Sequence, residues 1–141
     1  MHYASLEDLI ERAGLDEILQ VADRDGDGAA DPDVVEASLT HADNAVNGYL
    51  AVRFRLPLSS VAAIVSTWAV SIARYHLHRN GPPDYVVRDY KDAMAALQQA
   101  ARGLIALPGA DGIAPAQSTS DGIRVDGPEP VFSREKMEGW L

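Results

Sequence analysis

Between Asp23 and Asp33 the chain reads Asp23, Arg24, Asp25, Gly26, Asp27, Gly28, Ala29, Ala30, Asp31, Pro32, Asp33. Carboxylates at alternate positions followed by a glycine are how a calcium loop begins. Positions 1, 3 and 5 supply oxygens, and glycine at position 6 allows the sharp turn. On that count Asp23, Asp25, Asp27 and Asp31 are candidate calcium ligands, with the Ala29 carbonyl and water completing the set. Four close carboxylates repel one another, which favours a cation among them. The loop departs from an EF-hand in three ways. Position 12 is Val34, where a bidentate glutamate is needed; position 8 is the small Ala30; and little helix precedes the loop. The same letters also spell a helix start, with Asp31 as N-cap and Pro32 in the first helical position. The sequence admits both readings: a weak calcium loop, or a tight acidic corner whose last aspartate caps a helix.

Other groups offer less. His76 and His78 lie two apart, about 200° around a helix, so they cannot chelate one ion and read as a solvated helix end. There is no cysteine, which excludes disulfides, thiol catalysis and sulfur-bound zinc. No nucleophile elbow, phosphate loop or His-Glu-x-x-His stands in the chain, and the aspartates around Gly26 and Gly28 would repel a phosphate. No enzyme is expected. Arg53-Phe54-Arg55 is the best basic cluster. It reads either as charge placed at the C-terminal end of the preceding helix or as a subunit contact through Arg53 and Arg55.

These residues need elements to hold them. Ser5 and Asp8 fit a capping pair that opens a short helix with Leu6, Leu9 and Ile10 on its apolar face, ended by Gly14. A second short turn, Asp16 to Val21, buries Ile18 and Leu19. A long helix follows the aspartate loop from about Pro32 to Val52, with Val35, Leu39, Ala42, Val46, Tyr49 and Leu50 inward. The next runs from about Ser59 to Arg79, with Val61, Ile64, Val65, Trp68, Ile72 and Tyr75 at helical spacing. It is apolar on nearly every side, as a central helix is. The last, capped by Asp84, reaches about Leu107 with the stripe Val86, Tyr90, Ala93, Met94, Leu97, Ala101 and Leu104. The expected fold is all-α: a bundle of three longer helices and a short N-terminal pair over residues 1–107.

Residues 108–141 change character. Gly, Pro, Ser, Thr and Ala dominate to Ser120, and two short β-like pieces (123–125 and 131–132) follow. This reads as a linker and an extended arm. Phe132, Met137, Trp140 and Leu141 have no core of their own there and are candidate anchors for a partner surface.

The formal charge is −9, unevenly spread. Residues 1–43 carry 12 acidic and 2 basic side chains, whereas residues 44–141 carry 9 acidic and 10 basic. An acidic front half argues against a DNA-binding face there, because phosphate contacts need Lys and Arg. A charge-split molecule can pair with copies of itself. The first nine residues carry acid where a signal peptide is cationic, so none is expected. The apolar run Val61–Ala73 is too short to span a bilayer, and no membrane role is expected.

The chain resembles the Mu-like phage neck protein family. The resemblance is carried by Tyr3-Ala4 with Leu6-Glu7-Asp8-Leu9, by Ala22 to Gly28, and by Ala45-Val46-Asn47-Gly48-Tyr49-Leu50-Ala51-Val52-Arg53-Phe54-Arg55-Leu56-Pro57-Leu58. It continues through Ile72-Ala73-Arg74-Tyr75-His76-Leu77, Tyr90-Lys91-Asp92-Ala93, Arg102-Gly103, and the tail from Phe132 to Trp140. One departure is the absence of a proline near Val61, which bears on where the central helix starts. The resemblance implies a head–tail connector, or head-completion protein, of the virion neck. Such proteins are made in the host cytoplasm and form a ring, commonly of twelve copies. The ring sits between the portal protein and a tail-side neck or terminator protein, and DNA passes through it without sequence-specific binding. No cofactor is implied.

Overall fold

The computed structural model describes residues 2–58 and 60–109. It contains five α-helices and no strand among these residues: α1 (Leu6–Ala13), α2 (Leu15–Ala22), α3 (Pro32–Leu50), α4 (Ala63–Leu77) and α5 (Asp84–Ala101). The expected all-α class and its three longer helices are observed. The β-like pieces and the anchors Phe132, Met137, Trp140 and Leu141 lie outside the described residues.

Helix α1 starts as the Ser5 signal predicts. The Asp8 amide donates to Ser5 Oγ at 3.2 Å while the Ser5 amide donates to Asp8 Oδ2 at 3.0 Å, satisfying two otherwise orphaned donors. Gly14, at φ +92°, ends α1 and admits α2 without a linker, a backbone turn that L side chains rarely adopt.

The longer helices alternate in direction. Helix α4 packs between α3 and α5, and α1 lies across α4. The core runs along this seam: Leu39, Val46 and Leu50 of α3, Val65, Trp68, Ile72 and Leu77 of α4, and Ala93, Leu97 and Ala100 of α5 are all buried. Ala69 and Ala73, with no exposed surface, let the neighbouring helices approach α4 closely. Its expected central place is therefore observed.

Several details differ from the sequence reading. Helix α4 begins at Ala63, not near Ser59. The link before it, mostly turns and bends, buries Phe54 and Leu58 ahead of the helix. Ile64 consequently falls outside the packed stripe and is 41% exposed. Helix α5 stops at Ala101 rather than Leu107, because Gly103 takes φ +81° just beyond its C-cap. Leu104 is thrown outward, 70% exposed, and Ala100 replaces Ala101 in the core. Leu19 is half-buried, and only Ile18 of that pair is fully enclosed. Pro83, not Asp84, occupies the N-cap of α5.

Candidate functional site

The aspartate loop joins α2 to α3, and its position depends on how α2 is held. Glu17 of α2 meets Arg74 of α4 in a two-pronged ion pair: Arg74 Nε donates to Oε2 at 2.6 Å and Nη2 to Oε1 at 2.7 Å. His78 Nε2 lies 3.1 Å from Glu17 Oε2, and the Tyr85 hydroxyl donates to Oε1 at 3.4 Å. The Arg74 guanidinium also sits over the Tyr85 ring, and Asp89 bridges it to Arg12 of α1. Arg74 is buried. Its bonds hold the Glu17 carboxyl down at about 2, despite the opposing effect of burial. Four helices thus share one ionic cluster. The sequence reading did not find it, because Glu17 and Arg74 stand far apart in the chain and neither belongs to a motif.

Within the loop the four predicted ligands do come together. One carboxylate oxygen from each of Asp23, Asp25, Asp27 and Asp31 lies within 4.8 Å of the others. Gly26 and Gly28, at φ +77° and +84°, make the turns that bring them there. The carboxylates also brace the loop's own backbone. Asp23 accepts from the amides of Gly26 (2.9 Å), Asp27 (3.1 Å) and Gly28 (2.8 Å). Asp27 accepts from the Ala29 amide at 2.9 Å. Asp31 stands at the N-cap of α3 but makes no side-chain cap bond. Its Oδ2 instead accepts from the Arg24 amide at 3.0 Å, and its own amide donates to the Ala22 carbonyl. The capping aspartate closes the loop rather than the helix, and Pro32, which has no amide hydrogen, lessens the need for a cap.

Crowding shows in the acidities. Asp25 is pushed up to about 6, first by its hydrogen bond with Asp23 and then, against the Asp27 amide, by desolvation and the charges of Asp27 and Asp31. Burial raises Asp23, but the Gly28 amide and then the Asp25 proton outweigh it and hold Asp23 below its ordinary value. Val34 lies in the first turn of α3, so position 12 of an EF-hand has no ligand.

The second candidate is the arginine cluster. Arg53 does not serve the end of α3 that precedes it. Its Nε donates to the Ala101 carbonyl and its Nη2 to the Arg102 carbonyl, both at 3.3 Å, which caps the C-terminus of α5 with positive charge. A Cβ on Gly103 would stand 2.8 Å from Arg53 Cζ, so glycine there also makes room for the guanidinium. Phe54 points into the core, and Arg55 is exposed.

The histidines are more engaged than a solvated helix end. His76 stacks on His41 of α3 with ring centroids 4.1 Å apart, and His78 belongs to the Glu17 cluster. Burial, then His41, then Arg24 lower the pKa of His76. His2 binds Asp43 at 2.5 Å and Glu36 at 2.9 Å, with Asp43 the main cause of its raised value. It pins the N-terminal segment onto α3.

A groove of about 560 Å³ lies among Tyr3, Asp43, Asn47, Leu56, Pro57 and Val61. Three of its polar residues are joined to one another: the Tyr3 hydroxyl donates to Asn47, and the Tyr3 amide to Asp43. The hydroxyls of Ser38, Ser66 and Thr67 donate to backbone carbonyls, and none contacts a histidine.

The model for the family described as Bacteriophage Mu, Gp36 matches residues 3–125. Two full-length relatives are similar. Mu-like prophage FluMu protein gp36 of Haemophilus influenzae is 30% identical over 139 residues, 99% of this chain and 98% of that protein. Gene product J of Escherichia phage Mu is 30% identical over 143 residues, covering both chains completely.

Proposed function

The chain belongs to the Bacteriophage Mu, Gp36 family, and from that premise we propose that it is a structural protein of the phage particle. It acts as a head–tail connector: copies form a ring in the virion neck, with the portal on one side and a tail-side protein on the other. DNA passes through the ring without being read. The observation that carries this reading is the family match, which spans every helix of the bundle. Two features support it. In the groove at Tyr3, the polar groups of Tyr3, Asp43 and Asn47 bond one another instead of converging on an empty centre, which is a poor beginning for an active site. No described helix is long and apolar enough to cross a membrane. The arm, through Phe132, Met137, Trp140 and Leu141, docks on a neighbouring subunit.

The test is a phage carrying a stop codon in place of Gln20. Electron microscopy of the lysate is expected to show DNA-filled heads and separate tails, with joining restored by the intact gene supplied in trans. Normal, infectious virions from the stop allele would overturn the reading.

A second reading concerns the loop alone, and the gathering of four carboxylate oxygens within 4.8 Å favours it. We propose that Asp23, Asp25, Asp27 and Asp31 hold one calcium ion weakly, as a rigidifying ion in a structural part. Without the twelfth-position glutamate the affinity falls in the range of roughly 0.1 to 1 mM. Calorimetric titration is expected to give one such site, lost in an Asp25→Asn, Asp27→Asn double variant. Absence of heat at 10-fold higher calcium would leave the loop a self-braced acidic corner.

A further inference from the structure

The two candidate sites stand at opposite ends of the bundle. The loop precedes the first turn of α3, and Arg53 follows its last. A helix of 19 residues is about 28 Å long at 1.5 Å per residue. Helix α5 runs the same way, so its C-terminus lies beside Arg53, as the Arg53 bonds to Ala101 and Arg102 record.

The segments that carry the arginines have no acid of their own. No Asp or Glu occurs anywhere from Asn44 to Pro83, nor from Ala93 to Gly109. Arg53, Arg55 and Arg102 therefore meet no opposing charge from the ends of α3 and α5 or from the start of α4. The side chains of Arg55 and Arg102 are exposed and make no hydrogen bond or ion pair among the described residues. Beside them are two of the most exposed large apolar side chains described, Val52 at 68% and Leu104 at 70%. Arg53 joins the two segments: its guanidinium lies against Gly103 and bonds the Ala101 and Arg102 carbonyls, with Val52 and Leu104 the chain neighbours of Arg53 and Gly103.

The loop end has the opposite character. Asp23, Asp25, Asp27, Asp31 and Asp33 have one cation, Arg24, within the segment and Arg79 beside Asp23 in one groove, with exposed Ala29 and Pro32 among them. The screening length in physiological salt is about 8 Å. Two ends separated by roughly 28 Å of helix cannot satisfy each other within one molecule, but two molecules can bring them together.

We infer that the Val52, Arg53, Arg55, Arg102 and Leu104 end of the bundle is a docking face for a second copy of this chain, which presents its Asp23–Asp33 loop. The exposed guanidinium forks of Arg55 and Arg102 take loop carboxylates two-pronged, while Val52 and Leu104 cover Ala29 and Pro32. The contact is head-to-tail: each copy offers one face and receives on the other. Such a contact propagates, and it closes into a ring when the rotation between copies permits. The inference deepens the ring reading and rests on it for closure, while the pairing stands on the charge and apolar pattern of the two ends.

Sedimentation of the full chain at low salt, with chelator present to keep the loop uncompensated, tests it. The chain is expected to self-associate, and the association to weaken as salt rises. Arg55→Glu with Arg102→Glu, and separately Asp25→Arg with Asp27→Arg, are each expected to weaken it about tenfold or more, since two attractions become repulsions. An equimolar mixture of the two reversed chains is expected to associate again. A further measurement needs only the arginine variant: added in excess, its intact loops occupy the arginine faces of the unmodified chain, so the mixture yields pairs in place of longer assemblies. Both variants are checked for unchanged helical content. Association untouched by either reversal, no recovery in the mixture of folded variants, or a chain that stays monomeric up to about 1 mM would overturn the pairing. Those outcomes leave the neck reading intact, whereas intact virions from the stop allele would sink the neck reading and leave the pairing standing.

Discussion

Replacing Glu17 with alanine is expected to destabilise the folded chain by about 3 to 5 kcal/mol, the range for removing one partner of a buried ion pair. Arg74 is buried and would keep its charge without the carboxylate that occupies two of its N–H groups. Asp89 cannot replace it, since it approaches Arg74 only at 3.7 Å and is shared with Arg12. Urea denaturation at neutral pH measures the difference, and a loss below about 1 kcal/mol, the size of a surface pair, would show that the cluster is incidental. The pH dependence carries the same information. Glu17 moves from 4.5 to about 2 on folding, so on acidification the unfolded chain takes up this proton first. The stability it confers is whole above about pH 4.5 and is lost as the pH falls through about 2. Glu17→Gln should remove that slope while leaving the other carboxylates to titrate. The consequence reaches the loop. Helix α2 has eight residues, too few to be stable alone, and the Glu17 bonds tie it to α4. Loosening it frees the Asp23 end of the acidic corner.

The sequence foretold those parts of the fold that depend on neighbours along the chain. Ser5 with Asp8, Gly14 as a stop, and Pro32 as a start act within one turn, and each is found where its chemistry puts it. The four aspartates were also legible, because a loop with alternating carboxylates and two glycines can gather them without help from elsewhere. What Asp31 does was not. An aspartate before a proline reads as a cap, yet its carboxylate turns back to the Arg24 amide, and periodicity carries no information on which of two nearby donors wins. Arg53 illustrates the same limit over a longer distance. Its charge favours a helix C-terminus, as expected, but that helix is α5, which only the bundle's alternation brings alongside. The Glu17 cluster joins four helices and leaves no local mark at all.

The alternation also explains how an uneven charge along the chain becomes a polar molecule. Acid is concentrated before Asn44, and the arginines of the link and of Arg102 meet because α3 and α5 end together. Neither fact alone makes a face. The depleted stretch from Asn44 to Pro83 includes α4, whose buried position explains why it carries no carboxylate: an unpaired charge there would be desolvated. Its single buried charge, Arg74, is the one with a partner supplied from α2. The demands of the core therefore remove acid from the middle of the chain, and the two ends of α3 inherit opposite character.

Helix α5 offers the sharpest separation between packing and surface. Leu97 and Leu104 are the same residue type, seven apart, on one stripe by periodicity. Leu97 has no exposed surface, whereas Leu104 is 70% exposed because Gly103 turns the chain before it. Leu97→Ala is expected to cost about 2 to 5 kcal/mol, the lost transfer free energy plus a cavity among α3 and α4 side chains. Leu104→Ala is expected to stay within about 0.5 kcal/mol, as exposed substitutions do. Thermal or urea unfolding of the two variants measures both, and similar losses would mean that Leu104 packs after all. The comparison extends to association. Leu97→Ala, measured where it remains folded, should leave head-to-tail pairing intact, since no atom of the face is altered. Leu104→Ala should weaken pairing without weakening the fold, because the apolar surface it removes is buried only when a second copy arrives. A Leu104 variant that is as stable and associates as well as the unmodified chain would remove the apolar half of the docking face and leave the arginines to hold it alone.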